Sequence, residues 1–192
     1  MEALKKLEDK HYTYEDYKNW PDKERWELID GVAYAMSPSP SLQHQRIVGV
    51  LYRYIANYLS GKTCEVFVSP LDVFLPQHDQ DENDIDVVVQ PDIVVVCDQK
   101  KQTTKGIKGA PDLIIEVVSP ASGSRDKVEK LNLYERAGVK EYWIFDPDDS
   151  TLMVFRLDSK SRYGRPDTYS RENTVKVGLF GSLEIDLSKV FI

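Results

Sequence analysis

The chain has 192 residues, 41% of them hydrophobic and 30% charged, which suits one soluble globular domain over residues 1–192 with a core that needs no structural metal. Its net charge of −7 argues against a protein that coats nucleic acid. No apolar run approaches the roughly 20 residues that span a bilayer, and the N-terminus shows no leader pattern, so a cytoplasmic protein is expected.

Along the chain, Thr13 with Asp16 three residues later is a capping signal for a short helix that Pro21 closes. "RWELIDGVAYAM" alternates about Asp30-Gly31 and predicts a tight hairpin. After the loop "SPSPS", Ser41 can cap a helix from Leu42 to Leu59, whose apolar residues Ile47, Val50, Leu51, Tyr54, Ile55, Tyr58 and Leu59 recur at spacings of three and four. Gly61 ends it.

Strands are predicted at Cys64 to Leu75, at Asp86 to Cys97 with an interruption at Pro91, and at Asp112 to Val118. The acidic run "QHDQDENDID" reads as a solvated loop, since it lacks the Asp-x-Asp-x-Asp-Gly ladder of a calcium loop. "QKKQTTKGIKG" reads as a polar, basic loop. Ser124 can cap a helix running to Ala137, stopped by Gly138. Strands follow at "EYWIFD", with Tyr142, Trp143 and Phe145 as core, and at "TLMVFRL" after the turn Asp146-Pro147-Asp148-Asp149. The remainder reads as short strands and turns. The order helix, three strands, helix, strand implies a mixed α/β sheet with helices packed on it.

Cys64 and Cys97 each lie in an apolar run, too far apart in sequence for a zinc knuckle, and are expected to be buried thiols in a reducing cytosol. From Gln99 to Lys140 there is an excess of four positive charges, leaving −11 on the remainder, so an acidic chain still carries one basic strip for a polyanion. Phosphate-binding glycine loops, GxSxG elbows and CxxC pairs are absent from the sequence.

Two acids stand out. Asp92 follows Pro91 at the head of "IVVVC", and Glu116 interrupts the apolar run Leu113 to Val118. On neighbouring strands they would converge, repel one another and lose solvation. A divalent cation relieves both costs, and Mg²⁺ accepts one or two carboxylates with waters and phosphate oxygens. Such an ion polarises a phosphoryl group and acidifies a bound water. The plainer alternative is that Asp92 turns the chain and Glu116 faces solvent. A lysine would complete the set by holding water or stabilising charge on phosphorus. Lys127 and Lys130 lie on the following helix, with Asp126 in its first turn, and Lys130 shares a face with Tyr134. An exposed helix lysine needs no special role. Asp72, flanked by apolar residues, is expected to be exposed.

The strings "PDIVVVCD", "GAPDLIIEVVSPAS", "RDKVEKLNLYERAGVKEYWIFDP" and "WELIDGVAYAMSPSPSLQHQRIVGVL" together resemble the Uma-type family of restriction endonucleases, over about Tyr14 to the terminal "DLSKVF". That family is similar to the PD-(D/E)xK nucleases. The resemblance implies a restriction-endonuclease-like core, with an N-terminal helix and hairpin and C-terminal strand additions. It implies Mg²⁺ or Mn²⁺ held by Asp92 and Glu116. The usual motif lysine falls on Val118, so the resemblance assigns that role to Lys130. It adds Glu27 of "WELIDG" and His44 of "SPSPSLQH", which taken alone would be a hairpin surface acid and a helix-end histidine. Gln43 could face the same site. The implied partner is DNA, and by analogy the chain is a homodimer. Two other readings remain open at this level: a non-catalytic nuclease-fold module binding nucleic acid or protein, and a different metal-dependent hydrolase on the same carboxylates.

Overall fold

A computed structural model describes residues 6–7, 10–21, 24–36, 39–77, 80–119 and 123–191. In chain order, strand β1 (Lys6–Leu7) and helix α1 (Tyr14–Tyr17) precede a hairpin of β2 (Trp26–Ile29) and β3 (Val32–Ala35). Its turn has positive φ at Asp30 (51°) and Gly31 (74°), the geometry that favours an Asp-Gly pair. Helix α2 spans Leu42–Leu59, the predicted range. The Ser41 hydroxyl accepts the His44 N–H at 3.1 Å to cap it.

Next come β4 (Glu65–Val68), β5 (Val73–Phe74), β6 (Val88–Val89), β7 (Ile93–Val96), β8 (Ile107–Lys108) and β9 (Leu113–Val117). Helix α3 (Gly123–Ala137) leads to β10 (Glu141–Asp146), β11 (Thr151–Arg156), β12 (Asp167–Ser170), β13 (Thr174–Lys176) and β14 (Glu184–Asp186).

Two six-stranded sheets result. One has the order β1-β3-β2-β6-β5-β8, the other β12-β11-β10-β9-β7-β4, and β13 and β14 form a separate ribbon. The second sheet is mixed: β9 is parallel to β10 and antiparallel to β7. Alternation along β9 sorts its side chains. Leu113, Ile115 and Val117 pack with Ile47, Leu51 and Ile55 of α2 and with the C-terminal residues Val175, Ile185 and Val190. Ile114 and Val118 face the other way, among Leu133 and Tyr134 of α3 and Ile29, Val73 and Val89 of the first sheet. Tyr142, Trp143 and Phe145 are fully buried.

Three expectations change. The predicted strand from Cys64 to Leu75 is two strands in different sheets, parted at Ser69-Pro70; proline has no N–H for the ladder. The acidic run is not wholly solvated, because Ile85 and Asp86 at its end are buried. Finally, Cys64 and Cys97 are not buried thiols. One step beyond the Glu65↔Val96 pairing of β4 and β7 they face each other and form a disulfide, with both residues half-buried. Their distance in sequence hid this adjacency across two antiparallel strands. The side chains of Ser124 and Asp126 lie outside the described residues.

Candidate active site

The site begins with strand register. Ile93 of β7 opposes Ile115 of β9, so one step further Asp92 stands opposite Glu116. The Val117 N–H donates to Asp92 Oδ2 at 2.8 Å, and the Asp92 N–H approaches Glu116 Oε2 at 3.4 Å. By the alternation of β9, Glu116 projects with Ile114 and Val118 toward α3.

There it meets Lys130. The ammonium lies 2.8 Å from Glu116 Oε1 and 2.9 Å from Glu27 Oε1, and all three residues are at most 5% exposed. Tyr134, one helical turn on, donates its hydroxyl to the same Glu116 oxygen at 3.1 Å. Glu27 is no surface acid of the hairpin: it is fully buried, and its Oε1 also accepts the Gln90 N–H at 3.0 Å. A buried lysine between two carboxylates contributes little net stability while intact, but losing one member strands a buried charge.

His44, on the first turn of α2, places Nε2 3.1 Å from Asp92 Oδ2, while its Nδ1 is buried with no hydrogen-bond partner among the described residues. Gln43 lines the same cleft and reaches the Pro147 carbonyl at 3.4 Å. Val118, at the usual lysine position, is packed in the core.

Other candidates lie elsewhere. Lys127 donates to Asp146 at 2.8 Å. Burial pushes the Asp146 carboxyl up, but the Lys127 hydrogen bond and nearby backbone donors hold it below its ordinary value. Asp72, expected to be exposed, is partly buried and accepts from the Tyr17 hydroxyl at 2.9 Å and Gln90 Nε2 at 2.8 Å. Burial, then the Asp72 charge, drives the Tyr17 hydroxyl well above its usual range. In the basic loop, Lys101 is tied to the Ala110 carbonyl, while Lys105 and Lys108 line a separate cavity of about 120 Å³ with Tyr14 and Phe74.

Glu27, His44, Asp92, Glu116 and Lys130 open onto one cleft of about 430 Å³ between the sheets and the start of α2. Among the wall residues that the sequence did not single out are Arg25, Ser69 and Gln90. Arg25 was within reach of it, because the alternation of "RWELI" puts Arg25 on the same strand face as Glu27.

The donor set suits a hard cation. Glu27 and Glu116 share the Lys130 ammonium, and Asp92 Oδ1 has no hydrogen-bond partner among the described residues. Among the described residues no group of three or more His, Cys, Asp and Glu is placed to hold a metal ion, so an ion here would rest on the Asp92 and Glu116 pair. Two carboxylates with room for water and phosphate are what Mg²⁺ accepts.

The chain has relatives. An uncharacterized protein of Synechocystis sp. is 31% identical over 122 residues, covering 62% of this chain and 60% of that protein, so the chain spans less than two thirds of its relative. A crystal structure from Anabaena variabilis, titled a "putative nuclease belonging to DUF820", matches with a TM-score of 0.74 over 93% of this chain and 97% of that one. At 21% identity, the match shows a shared fold. No helix among the described residues is long and apolar enough to cross a membrane. A family model matches residues 14–188, nearly the whole length, and the chain therefore belongs to the Uma2 family, described as "Putative restriction endonuclease".

Proposed function

We propose that the chain is a metal-dependent DNA endonuclease, acting as one domain in the cytoplasm and cutting phosphodiester bonds with the residues of this cleft. The observation that carries the reading is the convergence of Lys130 on Glu116 and Glu27, beside an Asp92 that strand register sets opposite Glu116. Asp92 and Glu116 would hold Mg²⁺ or Mn²⁺, which when bound supplies Lewis acidity and a more acidic water. Lys130 positions the attacking water and offsets negative charge that develops on phosphorus. Glu27 and Tyr134 fix where Lys130 and Glu116 point. His44 holds Asp92 Oδ2, leaving Oδ1 to the cleft. Cutting both strands of a duplex needs two such sites, which a homodimer provides; sedimentation velocity checks this.

The test is nicking of supercoiled plasmid by pure protein in Mg²⁺ or Mn²⁺. Asp92→Ala and Lys130→Gln are each expected to lose at least about 100-fold in rate. Equal nicking by all three proteins would remove the assignment.

A second reading has its own support. Lys130 is held by two buried carboxylates, which is also how a purely structural clamp is built. In that case the chain is a non-catalytic module binding nucleic acid or protein. Calorimetric titration separates the two: heat of Mg²⁺ or Mn²⁺ binding near millimolar supports the enzyme, and none supports the module.

A further inference from the structure

Arg25 is a cationic cleft residue whose charge the acid-lysine cluster does not use. It precedes β2 and is half-buried. Its Nε and Nη2 both donate to Gln90 Oε1, at 3.0 and 2.6 Å, and Nη2 also donates to the Ser69 hydroxyl at 2.7 Å. Both partners are neutral. No carboxylate forms an ion pair with Arg25 among the described residues, in a chain where acids outnumber bases by 32 to 25.

The guanidinium is also held in a set direction. Gln90 Nε2 is occupied by Asp72 Oδ1 at 2.8 Å and by the Tyr17 hydroxyl at 3.1 Å, so the amide turns its oxygen to Arg25. The two residues that grip Arg25 are in turn tied to the acids. The Ser69 N–H donates to the Asp92 carbonyl at 3.1 Å, and the Gln90 N–H donates to Glu27 Oε1 at 3.0 Å. Of the five N–H donors of a guanidinium, those on Nη1 are left without a partner among the described residues.

A fixed, half-buried guanidinium with no counter-ion among the described residues, registered to an acidic centre, matches the needs of a backbone phosphate. The two N–H donors left on Nη1 are held in a set direction and can donate to phosphate oxygens in a way that a mobile lysine does not. We infer that Arg25 forms a phosphate subsite of the cleft, holding a nucleic-acid backbone phosphate next to the one presented to Asp92 and Glu116. This rests on the nuclease reading above. It makes Arg25 a positioning residue and gives an acidic protein a defined place to grip a polyanion.

The experiment is fluorescence anisotropy with a labelled DNA duplex in Ca²⁺, titrated across salt concentration, on wild type, Arg25→Gln, Arg25→Lys and Ser69→Ala. Arg25→Gln is expected to weaken binding about tenfold and to lower the slope of log affinity against log salt by about one. Arg25→Lys should keep that slope while losing part of the affinity, since charge is retained and the orientation set by Gln90 and Ser69 is lost. Ser69→Ala removes only a support and should keep the slope. If Arg25→Gln does not fold, as judged by its melting curve, Arg25→Lys carries the test through its affinity. Wild-type slope and affinity in Arg25→Gln, or an unchanged affinity in Arg25→Lys, would overturn the subsite and leave the nuclease reading in place. An absence of duplex binding by wild type would overturn both.

Discussion

The parallel pair β9 and β10 carries buried acids at both ends, and the two ends differ in kind. At the start of the strands, Glu141 is 1% exposed and accepts from Trp143 Nε1 at 2.9 Å, from the Gly178 and Leu179 N–H groups at 3.3 and 3.2 Å, and from Arg156 at 3.3 Å. Asp112 beside it accepts from the Cys97 N–H and from Lys140, both at 2.7 Å. Each acid there is met by donors of its own, so the cost of burial is offset locally. At the far end, Glu116 and Glu27 share one ammonium, Asp92 stands opposite Glu116, and all three open onto a cleft. Burial of a carboxylate is thus no mark of function; acids that converge beside space for a ligand are. Ligands of open α/β sheets favour the carboxyl ends of parallel strands, which is the end where these acids converge.

The largest expected effect comes from breaking the crowded end. Lys130→Ala leaves two buried carboxylates without their cation and should cost about 3–5 kcal/mol in urea unfolding, with nicking lost as well. A loss below about 1 kcal/mol would mean that the acids are already neutral, and the contrast between the ends would collapse. Next is a paired comparison. Glu141→Gln should cost about 1–3 kcal/mol and leave the response to Mg²⁺ unchanged. Glu116→Gln should abolish that response. With the ion at tenfold its Kd, wild type gains about 1.4 kcal/mol, a rise in Tm of about 3–6 °C. A similar rise in Glu116→Gln would place the ion elsewhere.

The smallest effect separates the two lysines of α3. Lys127 is 39% exposed and pairs with Asp146, whose carboxyl is held below its ordinary value. A lowered carboxyl favours the folded state above its unfolded pKa, and the gain is lost as pH falls through the folded value. Asp146→Asn should therefore be less stable than wild type at neutral pH by a few tenths of a kcal/mol, a small margin because solvent screens Lys127. That gap should close below about pH 4, as followed by thermal melts.

Local pattern made much of the fold legible. The apolar spacing of α2 and its serine cap defined Leu42–Leu59, and the Asp-Gly turn defined the hairpin. The anomaly of Glu116 in an apolar strand was visible too. The family resemblance singled out Asp92, Glu116, Lys130, Glu27 and His44, and the structure brings all five to one cleft. What stayed hidden depends on contacts between distant segments. The disulfide needs the register of β4 with β7, and the parting of β4 from β5 into separate sheets needs the tertiary arrangement. The grip of Ser69 and Gln90 on Arg25 joins residues 44 and 65 positions apart, where no periodicity operates.

Carrying the ammonium on α3 instead of at Val118 separates two inherited variables. A lysine two places along the strand would be fixed by the pleat, with its reach set once the acid is set. A lysine on a helix is placed by that helix's rotation and axial slide, at about 100° and 1.5 Å per residue. The stretch between β9 and α3 can then change in length without moving Lys130, provided the helix keeps its seat on Tyr142 and Ile144. One residue inserted within α3 ahead of Lys130 would turn the lysine off its face while both acids stayed in place. Such a variant would keep both acids but lack their cation.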